Sequence, residues 1–193
     1  VHLPLDLVPG DTDPAVRRHA VEVLKQVFDF TAPLNPTTFT LHLPYTAKSD
    51  HIDEITKWQD RIHQSLSQII GTGISGRSIS VENLDYPIHW IAEIISDFSL
   101  MICLDTGHLM MQGFEIETVF RQYQNDIAII HLHGVKNGRD HVALDRLSKK
   151  DGELTTALLK QFTKSVSLEV FSYDHLAASL RFLEKNWRKY YLD

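Results

Sequence analysis

Short apolar runs alternate with longer segments of helical periodicity throughout the chain. Six runs rich in Ile, Val, Leu and Thr predict strands over 1–5, 38–43, 78–83, 99–105, 127–133 and 166–171. Between them, apolar residues recur at intervals of three or four positions, which predicts helices over 14–28, 51–70, 87–96, 115–124, 152–163 and 174–189. Strict strand–helix alternation is typical of parallel strands covered by helices, so the pattern predicts an α/β fold with either an open sheet or a closed barrel.

Polar residues at every second strand position favour the barrel. Strands of an open sheet meet helices on both faces and are apolar throughout, whereas a barrel interior accepts polar side chains on one strand face. Thr38, Thr40 and His42 alternate with apolar residues in one predicted strand, and Ser80 and Glu82 do so in the next. We therefore expect a (β/α)8 barrel of the TIM type with a polar interior.

The six predicted strands and six predicted helices fall two units short of the eight that such a barrel contains. The chain opens with Val1 already inside a predicted strand, and its 193 residues of ordinary globular composition are enough for one sizeable core. We therefore expect residues 1–193 to form a single barrel domain that lacks its first two strand–helix units. The sequence leaves the oligomeric state open.

The charge and the apolar content narrow the class of partner. A net charge of −6 argues against a duplex-DNA enzyme, because Lys and Arg that neutralise phosphates provide most of the affinity for nucleic acid. No apolar stretch reaches the roughly 20 residues of a membrane-spanning helix, and no basic and then apolar leader opens the chain. The only cysteine, Cys103, lies in an apolar run and has no partner for an internal disulfide. These features favour a cytoplasmic enzyme with a small-molecule substrate.

Acidic residues and histidines gather where the predicted strands end, which is where catalytic groups of parallel barrels lie. The strand-end residues are His2, His42, Glu82, Asp105 with the nearby His108, His131 with His133, and Glu169, and a loop after the fifth predicted strand adds Asp140 and His141. A single strand histidine is more often a packed core residue, and the loop pair also fits a solvated turn. Every strand ending this way favours a metal centre, because buried carboxylates and imidazoles are costly unless they are paired or bind a metal.

The donor types indicate which ions the centre would bind. Mixed imidazole and carboxylate ligation suits Zn, Mn or Fe, and Cys103 is expected to lie deeper than the ligand layer as a packing residue. The segment LMMQGF follows His108 and offers an apolar wall through Met110, Met111 and Phe114. Met-rich surfaces adapt to bulky ligands, although packing at the start of a helix explains these residues equally well.

Five strings, TLHLPY, SVENLD, ICLDTGH, IIHLHG and SLEVF, resemble in order and placement the xylose isomerase-like TIM-barrel superfamily of sugar isomerases, sugar epimerases and AP endonucleases. The resemblance covers essentially the whole chain. In the isomerase and epimerase branch it implies one metal, with the two glutamates as acid and base, held by Glu82, Asp105, His131 and Glu169. In the endonuclease branch it implies further ligands, matched by His2, His42, Asp140 and His141, although that branch separates the last two by one residue. His108 fits both branches.

The surplus of ligands favours phosphoester hydrolysis, which gains from two or three ions, over enolising isomerisation, which needs one. We predict a phosphodiesterase acting on a nucleotide-containing small molecule, with two or three divalent ions as cofactors. The alternatives are a one-metal sugar isomerase or epimerase and a non-catalytic binding barrel.

A narrower resemblance bears on the substrate. The strings VHLPLDL, TLHLPY, SVENLD and DTGHLM are similar to the cobamide-remodelling phosphodiesterases (CbiR). This implies cleavage of the phosphodiester in the nucleotide loop of cobamides. Substrate contacts are then expected at His133, Met110, Met111 and Phe114.

Overall fold

The computed structural model of the protein describes residues 1–47 and 49–191, the last five of these by their backbone alone. In this part of the chain the α-helices are α1 Pro14–Thr31, α2 Ile52–Ile70, α3 Ala92–Asp97, α4 Thr106–Gln112, α5 Ile116–Tyr123, α6 Lys149–Gln161 and α7 Tyr173–Tyr191. The strands are β1 Phe39–Leu41, β2 Ile79–Glu82, β3 Met101–Asp105, β4 Ile127–Leu132, β5 Gly134–Lys136, β6 Arg139–Val142 and β7 Ser165–Leu168. None of the described helices is both long and apolar enough to span a bilayer.

Five strands form one sheet in the order β1, β2, β3, β4 and β7, with parallel pairing of β1 to β2, of β2 to β3 and of β4 to β7. The expected alternation of parallel strands and helices is therefore confirmed. The expected count of six strands and six helices differs from the structure in three places. Segment 1–5 forms only a parallel bridge between His2 and Thr40, and the chain then enters a turn at Leu5 and Asp6. Short helix α4 and the antiparallel hairpin β5–β6 are additional.

The chain divides into two compact units, residues 1–103 with 126–128, and residues 104–125 with 129–193. In the first unit, the β1–β2 register pairs Phe39 with Ile79 and Thr40 with Ser80. The apolar residues of both strands are buried, and α1 and α2 bury an apolar stripe that includes Leu24 and Trp58. The opposite strand faces are polar but also buried, and Thr38 Oγ1 donates a hydrogen bond of 3.0 Å to Ser80 Oγ. The expected polar strand face is therefore present.

In the second unit, β4 pairs with β7 so that His131 lies opposite Ser167. The β5–β6 hairpin turns at Asn137 and Gly138, whose φ angles of 53° and 71° suit a type I′ turn. The hairpin places Asp140 and His141 on strand β6. Strand β7 ends at Leu168, so Glu169 follows the strand directly and its amide donates to the carbonyl of Leu132 at 2.9 Å.

Candidate metal centre

The first unit carries one group of predicted ligands, formed by His2, His42 and Glu82. Glu82 is the last residue of β2 and is 0% exposed, and His42 follows β1 next to it because Leu41 pairs with Val81. His42 Nε2 lies 3.2 Å from Glu82 Oε2, and His2 Nε2 lies 3.6 Å from the same oxygen. The two imidazole rings meet edge to face with centroids 5.0 Å apart. A buried carboxylate that faces two imidazoles is an arrangement that a shared cation would stabilise.

Cys103 lies beneath this group, as a packing residue would. It pairs in register with Glu82 on the neighbouring strand and is 0% exposed. Its thiol also donates a hydrogen bond to Glu82 Oε2, with 3.7 Å between sulfur and oxygen. The cysteine therefore helps to hold the carboxylate in place as well as filling the interior.

In the second unit, Asp105 ends β3 and caps helix α4. Its Oδ1 accepts a hydrogen bond of 2.7 Å from the backbone amide of His108, and it lies 3.1 Å from Nε2 of His133. Asp105 and His133 are both fully buried. The His141 amide donates to His133 Nδ1 at 2.9 Å, so Nδ1 is the acceptor and Nε2 carries the proton that faces Asp105. His133 thus orients Asp105, while direct contact of His133 with substrate stays a prediction.

Glu169 is the second carboxylate of this unit that lies close to imidazole nitrogens. His131 Nδ1 lies 3.0 Å from Glu169 Oε2, and His141 Nε2 lies 3.8 Å from the same oxygen. His131 is almost fully buried, whereas the Glu169 and His141 side chains keep 18% and 19% exposure. Two imidazoles again converge on one carboxylate oxygen, here at a position that solvent or a ligand can reach.

Three histidines of the second unit also form a compact group of donors. Ligand atoms of His108, His133 and His141 lie within 4.8 Å of one another. Two nitrogens that bind one Zn²⁺ at about 2.0–2.1 Å lie no more than about 4.2 Å apart, so a small contraction would fit the group to an ion. The His133 and His141 rings stack with centroids 4.1 Å apart, and Phe171 covers the outer side of His141 at 4.8 Å.

Asp140 extends this group at its exposed side. Its Oδ1 lies 3.2 Å from His141 Nδ1, and His141 has a left-handed φ of 50° that aims its ring back at its neighbour. Burial raises the pKa of Asp140, but the hydrogen bond and charge of His141 outweigh burial and lower it. Burial lowers the pKa of His133, but the hydrogen bond and charge of Asp105 outweigh it and raise that pKa.

Gly107, in the first turn of α4, is a residue that sequence reasoning missed. A Cβ at this position would overlap the imidazole ring of His133. The glycine therefore lets the buried histidine reach Asp105. Only the string DTGH signals it, and the string does not reveal which ring needs the space.

Replacing Gly107 with Ala is expected to destabilise the protein by roughly 1–3 kcal/mol, because the His133 ring must leave its position. Helix propensity alone would predict the opposite sign, since Ala in a helix is about 1 kcal/mol better than Gly. Urea unfolding measures the difference. In a His133→Ala background the same substitution should become neutral or stabilising, and a penalty that persists there would contradict the proposed overlap.

Three predicted substrate contacts lie on or just after α4. Met110 and Phe114 are half-buried, and Met111 is 37% exposed. Helix α4 begins directly after Asp105, so Met110 and Met111 lie within two helical turns of this predicted ligand. Their contact with a bulky ligand stays a prediction.

Comparison with known proteins identifies the fold. A family model described as "Xylose isomerase-like TIM barrel" matches residues 1–187. A D-tagatose 3-epimerase-like protein has a TM-score of 0.80 and 21% identity, over 98% of this chain and 76% of that chain. Endonuclease IV from Thermus thermophilus has a TM-score of 0.73 and 16% identity, over 98% of this chain and 75% of that chain.

A third similar structure is the IolI protein with a bound zinc atom, with a TM-score of 0.68 and 17% identity, over 94% of this chain and 73% of that chain. At such identities the likeness concerns the fold, and together with the family match it confirms the predicted TIM-barrel type. No curated protein matches the sequence.

Proposed function

We propose that this chain, which belongs to the xylose isomerase-like TIM-barrel family, is a metal-dependent phosphodiesterase that cleaves a nucleotide-containing small molecule. One observation carries the proposal, namely that imidazoles surround the strand-end carboxylates in both units. His2 and His42 face Glu82, while His108, His133 and His141 form a donor group beside Asp105 and Glu169. The four ligands of a one-ion isomerase do not include His2, His42 or His141, whereas phosphoester hydrolysis gains from several ions and so from further nitrogen donors.

We assign the ions by the ligand set that the family resemblance implies. In that set, Glu82, Asp105, His131 and Glu169 would hold one ion. His2 and His42, with Glu82, would hold a second, and His108, Asp140 and His141 would hold a third. The nitrogen and oxygen donors fit Zn, Mn or Fe. When bound, such ions supply acidification of water and neutralisation of charge that develops on phosphoryl and leaving oxygens.

The residues of the chain then hold and move charge during hydrolysis. The oxygen of water joins phosphorus, the bond from phosphorus to the leaving oxygen breaks, and a proton ends on that oxygen. Glu169 is 18% exposed and contacts both His131 and His141, so it is placed to accept a proton from water. Glu82 is buried and serves to hold cations through a charge that the two neighbouring imidazoles fix in position.

The charge of the chain favours a small substrate over DNA. With 25 acidic and 19 basic residues, the chain lacks the basic excess of proteins that hold a duplex. The narrowest form of the proposal is the nucleotide loop of a cobamide, in which Met110, Met111 and Phe114 would contact the corrin ring. The partly exposed apolar side chains on α4 and just after it support this form.

A sugar isomerase or epimerase is the second candidate. The high fold similarity to a D-tagatose 3-epimerase-like protein favours it, as does the presence of all four residues that hold the single metal of that branch. In this case Glu82 and Glu169 would act as base and acid beside a substrate carbonyl.

Incubation of the metal-loaded protein with three substrates separates these functions. We expect release of p-nitrophenol from bis(p-nitrophenyl) phosphate and of a cobinamide product from a cobamide, with no conversion of D-fructose or D-tagatose. Epimerised sugar without phosphodiester cleavage would refute the hydrolase and establish the second candidate. Cleavage of bis(p-nitrophenyl) phosphate without cleavage of the cobamide would refute only the cobamide as the substrate.

A further inference from the structure

A cavity of about 420 Å³ opens in the second unit beside the β5–β6 hairpin, and no step proposed above uses it. Its walls come from the hairpin, from the helical turn Leu144–Arg146 and from the start of α7. The lining residues are Lys136, Asn137, Arg139, Val142, Arg146 and His175. Three of these six side chains, those of Lys136, Arg139 and Arg146, carry a positive charge, in a chain whose net charge is −6 with its histidines neutral.

The basic side chains of this cavity lack strong acidic partners. Among the described residues, neither Lys136 nor Arg139 forms an ion pair. Arg146 Nε lies 3.6 Å from Asp145 Oδ1, but both side chains are about half exposed, at 58% and 46%, so solvent screens the pair. The cavity therefore concentrates positive charge that the protein itself does not neutralise.

The pairing of the hairpin strengthens this point. Lys136 and Arg139 are direct cross-strand partners on either side of the Asn137–Gly138 turn. Like charges at opposed strand positions are destabilising, and a two-residue turn prevents the strands from separating to relieve the repulsion. An anion held between the two side chains would turn this repulsion into two charge-assisted hydrogen bonds.

We propose that this cavity binds a phosphate group of the substrate other than the group that is cleaved, as a phosphate monoester or a diphosphate. The term substrate rests on the proposed function, but the anion site does not. Strand β6 joins the cavity to the candidate metal centre. Arg139 lines the cavity, and the next two residues, Asp140 and His141, are predicted metal ligands. Two residues of extended chain span about 7 Å, so one molecule can reach both.

Titration of the as-purified protein with pyrophosphate tests the assignment by calorimetry. A Lys136→Gln/Arg146→Gln variant should raise the dissociation constant by at least about tenfold, because it removes two charge-assisted contacts. A Lys149→Gln/Lys150→Gln variant removes the same charge from exposed residues outside the cavity lining and should bind within about twofold of wild type. His175→Ala, on a separate element, should weaken binding as well.

Three results would overturn the assignment: no binding of pyrophosphate to the wild type, equal weakening in both double variants, or loss of duplex DNA binding in the cavity variant with pyrophosphate binding unchanged. The last would identify a nucleic-acid surface. Circular dichroism checks that each variant is folded.

The two proposals fail in different ways. If no phosphodiester is cleaved but pyrophosphate binding falls only in the cavity variants, the hydrolase is wrong and the anion site stands. If diesters are cleaved and pyrophosphate binding is the same in the cavity variants as in the wild type, only the proposed anion site is wrong.

Discussion

Replacing Glu82 with Gln is expected to lower turnover by about 10²- to 10³-fold, the scale of losing a principal electrostatic group in an active site. The side chain is buried, and the nitrogens of His2 and His42 lie 3.6 and 3.2 Å from one of its oxygens. Gln occupies the same volume but has no charge with which to hold a cation. Two quantities should fall together in this variant. One is the turnover rate at saturating substrate, and the other is the metal content measured by plasma mass spectrometry.

Two variants make this result specific. Glu93→Gln removes the same charge from an exposed position on α3 in the same unit and should leave turnover unchanged. Glu82→Asp keeps the charge on a shorter side chain and should recover part of the metal content. A Glu82→Gln protein with full turnover and unchanged metal content would show that Glu82 takes no part in catalysis.

The placement of Glu82 could be predicted because periodicity and strand ends carry that information. Strict alternation in 78–83 puts Ser80 and Glu82 on one strand face, and parallel pairing then brings His42 alongside Glu82. Asp105 and His131 follow by the same rule, since both lie at or near the end of a strand that pairs in parallel. Local pattern and sheet geometry agree at these positions, so no further information is needed.

The β5–β6 hairpin could not be predicted from hydrophobic periodicity. Lys136, Arg139 and Asp140 are exposed, so the flanking strands show no alternation of apolar and polar residues. The usable signal was the Asn137–Gly138 pair, which strongly favours a tight hairpin turn. Without the hairpin, the sequence places Asp140 and His141 in a loop, whereas the structure places them on strand β6 with His141 Nε2 3.8 Å from Glu169 Oε2.

The sequence could not predict which carboxylate each histidine of the site contacts, for another reason. His133 and His131 occupy the same strand face two positions apart, yet His131 contacts Glu169 and His133 contacts Asp105. That division depends on the space left by Gly107 and on the amide of His141, which come from separate elements. Spacing along one strand gives the face of a side chain but not its partner.

Replacing His2 with Ala is expected to remove one metal ion per chain and to slow phosphodiester cleavage by about 100-fold, a loss typical of an impaired metal site. His2 is the most suitable residue for this test. Its side chain is 31% exposed, so little packing is lost, while its Nε2 lies 3.6 Å from Glu82 Oε2. The imidazole thus contributes mainly a ligand to the second proposed ion.

His63→Ala is the matched control. His63 also lies beside a carboxylate in the first unit, 3.1 Å from Asp97 Oδ2, but at an exposed position. Its removal should change neither metal content nor rate. A one-metal epimerase predicts a different result for His2→Ala, because its ion depends on Glu82, Asp105, His131 and Glu169. Suppose that the wild type and the His2→Ala protein both hold one ion per chain and that the variant epimerises sugar normally. That result would decide against the multi-metal hydrolase.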